Sequence, residues 1–227
     1  MTIPNYRDQI KVIFFDIDET LFMKEQDHLP ASVPLFIRKL KQNGIIPAIA
    51  SGRSRTMFPW QVKQLVEQEG MALFVTMNGQ SVTHKNQVIA KHTIPTEQIR
   101  RLTYFFDQHH IAYAFITDDA VNVSEKNARV TSSFDVITTD YAVDKAFFER
   151  HAISQILPFY REEQDQLVQN CGLLDGLRMV RWHEESVDLF DAEGSKVRGI
   201  ETAVKHLGLS MENVMAFGDG LNDLEML

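Results

Sequence analysis

Cysteine is nearly missing from this 227-residue chain: Cys171 is the only one. A lone cysteine cannot close an intramolecular disulfide, so the fold must be held by packing, and this usage fits a reducing compartment such as the cytoplasm. Cys171 itself reads as a small hydrophobe. No apolar run reaches the length of a membrane span, and the polar start from Thr2 to Asp8 lacks the charged-then-apolar layout of a signal peptide. Positive charge is also scarce. There are 23 Lys plus Arg against 31 Asp plus Glu, a net charge of −8, which argues against non-specific binding to nucleic acid or an anionic membrane. An anionic small molecule would need local positive charge or a metal ion.

What is present is ordinary for a globular protein: 44% hydrophobic and 24% charged residues, enough for a core and too apolar for a disordered chain. The length suits one large domain or two modest ones, and no internal repeat or low-complexity segment appears. Val12 to Phe15 are four large apolar residues without alternation, as in a strand buried on both faces of a parallel sheet. The spacing predicts a helix from Ser32 to Gly44, a strand over 45–50 in which Pro47 argues against a central place, a helix over 60–70, a strand over 72–77 and a hairpin turning near Lys85 and Asn86. Between about 94 and 189 the texture changes. Helices are expected over 95–110, 144–151 and 161–170, with strands over 111–117, 120–123, 153–157, 177–182 and 186–190. After Gly194 the first texture returns, with a helix over 197–207, a strand over 214–217 and a helix opening at Asn222. The chain therefore reads as α/β: a doubly wound parallel sheet formed by 1–84 and 190–227, interrupted by an α+β insert over 85–189.

The chemistry starts where the first strand stops. Asp16 and Asp18 follow Phe15 at the carboxyl edge of the sheet, where open α/β folds bind ligands. Two close carboxylates repel unless a cation or a shared proton compensates, yet Asp also begins many ordinary turns, so the pair alone leaves both readings open. Ser51, Gly52 and Arg53 follow the second strand and offer a hydroxyl and backbone N–H groups before a helix, a weak phosphate-binding signal. Lys196 opens the helix after the insert. Gly218-Asp219-Gly220-Leu221-Asn222-Asp223 follows the last strand.

In this order and setting, Asp16-Ile17-Asp18-Glu19-Thr20, Ser51-Gly52-Arg53, Lys196 and the run from Gly218 to Asp223 resemble the haloacid dehalogenase-like (HAD) phosphohydrolases, in the Cof-like subgroup with a type IIB cap between the second and third motifs. The resemblance covers nearly the whole chain. It implies a Rossmann-like core with an inserted cap and a cytoplasmic phosphatase that hydrolyses a small phosphate ester, a sugar phosphate or a cofactor phosphate, through an aspartyl phosphate. It implies Asp16 as nucleophile and Asp18 as general acid and base. Ser51, Gly52, Lys196 and Asn222 would hold the phosphoryl group. Mg²⁺ would be bound by the Asp16 carboxylate, the Asp18 main-chain carbonyl and Asp219. Thr20 would brace the turn after Asp18, and Asp223 would orient a metal-bound water or Lys196.

Two departures stand out. Position 19 is Glu where most relatives have Gly, so the turn either does without a positive φ or is strained, and an outward side chain is expected. Relatives also continue with at least one more βα unit beyond the point where this sequence stops, which leads to the expectation of a longer gene product or, failing that, of self-association through an uncovered edge strand. Oligomeric state is left open. A phospho-aspartate signalling receiver and an inactive HAD-fold binding protein are the competing functions; receivers are small and lack the second aspartate. His84, His92, His109 and His110 read as solvated rather than ligating, and Trp182 to Glu185 are candidates for facing a substrate from the cap.

Overall fold

The computed structural model describes Tyr6 and residues 8–227; most of the Thr2–Asp8 stretch lies outside the described residues. Contacts divide the chain into two units. One comprises the residues up to Arg53, Phe58–Ala90 and Ser195–Leu227, the other Ser54–Met57 and Lys91–Gly194.

The first unit is built on a six-stranded sheet with the order β12-β1-β2-β3-β4-β5. Its strands are β1 (Val12–Phe15), β2 (Ile46–Ala50), β3 (Leu73–Thr76), β4 (Ser81–His84), β5 (Gln87–Lys91) and, from the far end of the chain, β12 (Val214–Phe217). β1 lies between β12 and β2 and is parallel to both. All four of its side chains are buried, so both faces of this strand must be apolar and the run shows no alternation. Phe14 is wholly buried, a contribution of about 1.5–3 kcal/mol. Residues 85–91, which a boundary at 84 assigns to the insert, belong to this sheet through the β4–β5 hairpin. Lys85 and Asn86 turn it with φ of 50° and 63°, the pair of positive angles that a two-residue hairpin turn requires.

Pro47 is the local surprise: β2 is central, not an edge. In a strand, successive N–H groups point to opposite neighbours. Ile46 donates to Lys11 on the β1 side, so the missing donor of Pro47 faces β3, where pairing begins only at Ala48. The proline thus sits one step before the ladder that would need it.

Helices α1 (Ser32–Gln42) and α2 (Trp60–Glu69) bury Ile37, Leu40, Val62 and Leu65 with Ile13, Phe15 and Ile49 on one side of the sheet. Helix α6 (Lys196–His206) packs Ile200, Ala203 and Val204 on the other, against Val12, Phe14, Val75 and Val82. Two glycines let it come close. A Cβ on Gly199 would fall 2.3 Å from Val75 Cγ1, and one on Gly79, whose φ is +83°, would fall 2.0 Å from the Ser195 carbonyl oxygen. The start of α6, and with it Lys196, is thereby pressed against the carboxyl end of β3.

The second unit is an α+β layer with the strand order β10-β11-β9-β6-β7-β8. These are β6 (Ala112–Ile116), β7 (Val121–Val123), β8 (Ala142–Val143), β9 (Gln155–Phe159), β10 (Leu177–His183) and β11 (Ser186–Asp191), accompanied by α3 (Thr96–Gln108), α4 (Ala128–Phe134) and α5 (Asp165–Gln169). Ile99, Leu102 and Phe106 of α3 pack with Tyr113, Phe115, Ile156, Val187 and Leu189 on one sheet face. The helix expected over 144–151 is instead a 3₁₀ turn, Phe147–Glu149, preceded by β8. α4, not foreseen, is capped by the Asn127 side chain accepting from Val130 N–H. Among the described residues, no helix is long and apolar enough to cross a membrane.

Candidate active site

Loops at the carboxyl ends of β1, β2 and β12, with the start of α6, bring the sequence candidates of the first unit together. Asp16 leaves β1 with its N–H donating to the Phe217 carbonyl, so β1 and β12 deliver their loops side by side. Ser195 caps α6 by accepting from Arg198 N–H, which makes Lys196 the first helical residue. That lysine is 1% exposed. Its Nζ donates to Asp16 Oδ1 and to Asp223 Oδ1, both at 2.6 Å. A buried ammonium at a helix N-terminus is unfavourable both by desolvation and by the helix dipole, and the two carboxylates compensate it.

Asp223 is fully buried and spends its other oxygen on the loop itself, accepting from Asp219 N–H at 3.2 Å and Gly220 N–H at 2.9 Å. These bonds close a 3₁₀ turn over Leu221–Asp223, where the sequence suggested the opening of an α-helix. Thr20 Oγ1 donates to Asp219 Oδ1 at 3.4 Å, so Thr20 reaches across to the β12 loop. Asn222 Nδ2 donates to Asn78 Oδ1 at 3.2 Å.

Asp18 takes a different partner from Asp16. Arg53 holds it with two bonds, Nε to Oδ2 at 2.8 Å and Nη2 to Oδ1 at 2.7 Å. Burial raises the pKa of Asp18, but the Arg53 pair, with Lys24 and Lys196 at greater range, outweighs it and holds the carboxyl below its usual value. Asp16 is shifted the opposite way, up to about 6: burial dominates, Lys196 pulls it back, and Asp223 pushes it up again. Ser51 is 1% exposed and its Oγ accepts from Arg53 N–H at 3.2 Å. Gly52 lies against Asn78, for a Cβ there would come within 3.3 Å of Asn78 Oδ1.

Glu19 adopts φ +53°, the strained alternative, with its side chain exposed as expected. The carboxylate recovers something by accepting from Lys24 N–H at 2.9 Å.

A cation fits this arrangement. Asp16, Asp219 and Asp223 each offer a carboxylate oxygen within 4.8 Å of the others, and the single ammonium of Lys196 balances only part of their charge. Hard carboxylate oxygens with a deficit of positive charge suit Mg²⁺, and with both oxygens of Asp223 taken by Lys196 and the loop N–H groups, Asp16 and Asp219 are the carboxylates placed to hold it.

Sequence reading missed three residues. Arg53 was noticed only as part of a tripeptide; its bidentate grip on Asp18 depends on the β1–β2 pairing and has no signal in spacing. Asn78 follows β3 with φ +53°, and Asn closing a strand is equally an ordinary turn. Asp188, in the second unit, lies inside an apolar strand, and a charged residue at such a position is the one cue that could have flagged it. Trp182 and His183 are in ring contact, while Glu185 is held by Ser132 and Arg161. His92 lies 3.9 Å from Asp191, and the His109 ring lies tilted against Phe105 with centroids 4.4 Å apart. His84, partly exposed, also bonds through its ring to His206.

Residues 13–227 match the family described as haloacid dehalogenase-like hydrolase. The chain belongs to the haloacid dehalogenase-like hydrolases. This HAD chain is 35% identical over 219 residues to the Bacillus subtilis (strain 168) protein named "Putative phosphatase YkrA", covering 96% of this chain and 82% of that one. A crystal structure of a hypothetical protein from Geobacillus kaustophilus superposes with a TM-score of 0.84 at 36% identity, covering 96% of this chain and 83% of that one. The HAD subclass IIB sugar phosphatase BT4131 superposes with a TM-score of 0.82 at 26% identity, with coverage of 96% and 84%. The fold is therefore the HAD core with a cap of the Cof-like kind, and the enzyme class is that of HAD-type phosphatases.

Proposed function

We propose that this HAD phosphatase is a Mg²⁺-dependent enzyme that hydrolyses a small phosphorylated metabolite through a phosphorylated Asp16. The observation that carries this reading is the environment of Asp16: a buried carboxylate at a strand end, held on one side by Lys196 and faced by two further aspartates.

Asp16 Oδ attacks phosphorus and the ester oxygen leaves, forming an acyl phosphate; water then attacks phosphorus and restores the carboxylate. Lys196 neutralises charge on the nucleophile and the phosphoryl oxygens, and its second bond, to Asp223, keeps its ammonium from following Asp16 as that residue reacts. Ser51 Oγ, the Gly52 amide and Asn222 hold the remaining phosphoryl oxygens. Asp18 is ionised in its Arg53 pair, which suits the second half-reaction, where it takes a proton from water. The first half-reaction needs that proton on Asp18 beforehand. An arriving phosphate dianion competes with Asp18 for Arg53, and loosening this pair lets the carboxyl take up a proton and deliver it to the leaving oxygen. Mg²⁺, held by Asp16, the Asp18 carbonyl and Asp219, would supply positive charge that lets an anionic nucleophile meet an anionic phosphate. With BT4131 a sugar phosphatase, sugar phosphates head the substrate class, followed by cofactor phosphates. A role on small soluble esters suits the cytoplasm.

A panel of phosphate esters assayed with Mg²⁺ and with excess chelator tests this. The expected result is release of phosphate from a subset of sugar or cofactor phosphates that stops in chelator. Turnover undiminished by chelator would overturn the metal dependence, and activity confined to diesters would overturn the substrate class.

A further inference from the structure

The first unit carries a second group of metal-competent side chains that the phosphoryl chemistry does not use. His84 Nδ1 and His206 Nε2 lie 3.2 Å apart, although 122 residues separate them in sequence. Their rings stand nearly perpendicular, at 81° with centroids 5.3 Å apart.

Two rigid elements create this meeting. His84 ends β4 and shares a strand face with Val82, two residues before it. Val82 packs against Ile200, Ala203 and Val204 of α6. His206 closes α6 one turn beyond Ala203, so the strand row through 82 and 84 runs onto the helix row through 203 and 206. The hairpin turn at Lys85 and Asn86 stops the strand there. His84 is partly exposed and His206 exposed, which leaves the pair open to water at the rim of a packed layer.

The separation matches a chelating bite. With metal–nitrogen bonds of about 2.0–2.1 Å, a tetrahedral angle sets two donors about 3.3–3.4 Å apart. Without metal the same spacing is a ring-to-ring hydrogen bond, and for both nitrogens to face a cation the donor ring carries its proton on its other nitrogen, exchanged through water. Burial, Lys85 and His206 all hold the His84 imidazole below its ordinary pKa, which favours the neutral form that ligates.

We propose that His84 and His206 form a two-nitrogen site for a borderline divalent transition-metal ion of the Zn²⁺, Ni²⁺ or Cu²⁺ type, with water completing the coordination. The ion clamps the end of β4 to the last turn of α6. Imidazole pairs select these ions over Mg²⁺, which prefers oxygen, so the site and the aspartate cluster sort metals by donor chemistry.

The test is calorimetric titration of Ni²⁺ into the whole chain in excess Mg²⁺, with electron paramagnetic resonance of bound Cu²⁺ and imidazole proton NMR under Zn²⁺. The expected result is one site with coupling to two nitrogens, weakened at least tenfold by His84→Gln and by His206→Asn and unchanged by Asp219→Asn. Wild-type affinity in the two histidine variants, or a copper spectrum with fewer than two nitrogens, overturns the site. Should a variant fail to fold, the wild-type NMR decides: the His84 and His206 resonances must shift at the lowest Zn²⁺ concentrations, and other histidines shifting before them refutes the proposal.

Discussion

Asp18 and Glu19 show how two neighbouring residues resolve opposite constraints. Asp18 is held by Arg53 and kept ionised, while Glu19 occupies a left-handed conformation that costs an L-residue about 1–2 kcal/mol. If strain dominates at position 19, Glu19→Gly relieves it. Glu19→Ala keeps the strain and loses the bond to Lys24 N–H. Glu19→Gly should therefore be more stable than Glu19→Ala by about 1 kcal/mol in denaturant unfolding; equal stability would show that the turn is unstrained. Asp18→Asn should lower kcat by about 10²- to 10⁴-fold through both half-reactions, and unchanged turnover would move the acid elsewhere. At this scale Asp16 and Asp18 stood out because two carboxylates after a buried strand are chemically costly, although the pair alone left an ordinary turn open. Arg53 and Asn78 were not, because their importance lies in which neighbour the sheet brings to them. The φ of Glu19 was legible only as a pair of alternatives.

Elements were legible where one pattern had one physical cause. β1 reads as buried because it is covered on both faces, and α6 because its apolar stripe meets the sheet. The region over 144–151 misled for the opposite reason. Phe147 and Phe148 are buried together, and a short 3₁₀ turn buries two adjacent aromatics as well as a helix would. In β11 the informative residue is Asp188, whose pKa is pushed up to about 8 by burial, against the pull of the Gln155 and Trp182 side chains. Its folded pKa lies above the ordinary 3.8, so the folded chain retains a proton that the unfolded chain releases. The stability this group contributes is fully present below about pH 4 and is lost as the pH rises through about 8. Asp188→Asn removes that dependence. Its melting temperature should gain on the wild type steadily between pH 4 and 8 and hold a constant lead above, as read by thermal melts across pH. A pH-independent difference would mean that Asp188 titrates normally.

Across the whole molecule, the two-texture layout was visible because the first and last stretches alternate short apolar strands with helices, whereas the insert strings several strand candidates between larger amphipathic helices. The change of texture near residue 94 follows the β4–β5 hairpin, but a boundary drawn at 84 cuts that hairpin, because only its pairing assigns β5 to the first sheet. One Lys196 ammonium leaves the Asp16, Asp219 and Asp223 cluster short of positive charge, and Mg²⁺ should stabilise the fold through it. A melt in Mg²⁺ at a hundredfold excess over its Kd should gain about 2.7 kcal/mol, and Asp219→Asn should lose most of that gain. An equal Mg²⁺ response in the variant would place the ion elsewhere.

The central claim is that Asp16 becomes phosphorylated. Rapid acid quench of the wild-type enzyme with a ³²P-labelled substrate ester, followed by peptide mapping, tests it most directly. The account predicts label on the peptide containing Asp16, stable in acid and released by base or hydroxylamine, formed no more slowly than turnover and absent in Asp16→Asn. Steady turnover with no labelled Asp16 peptide at any time point, or label on another residue, would contradict it.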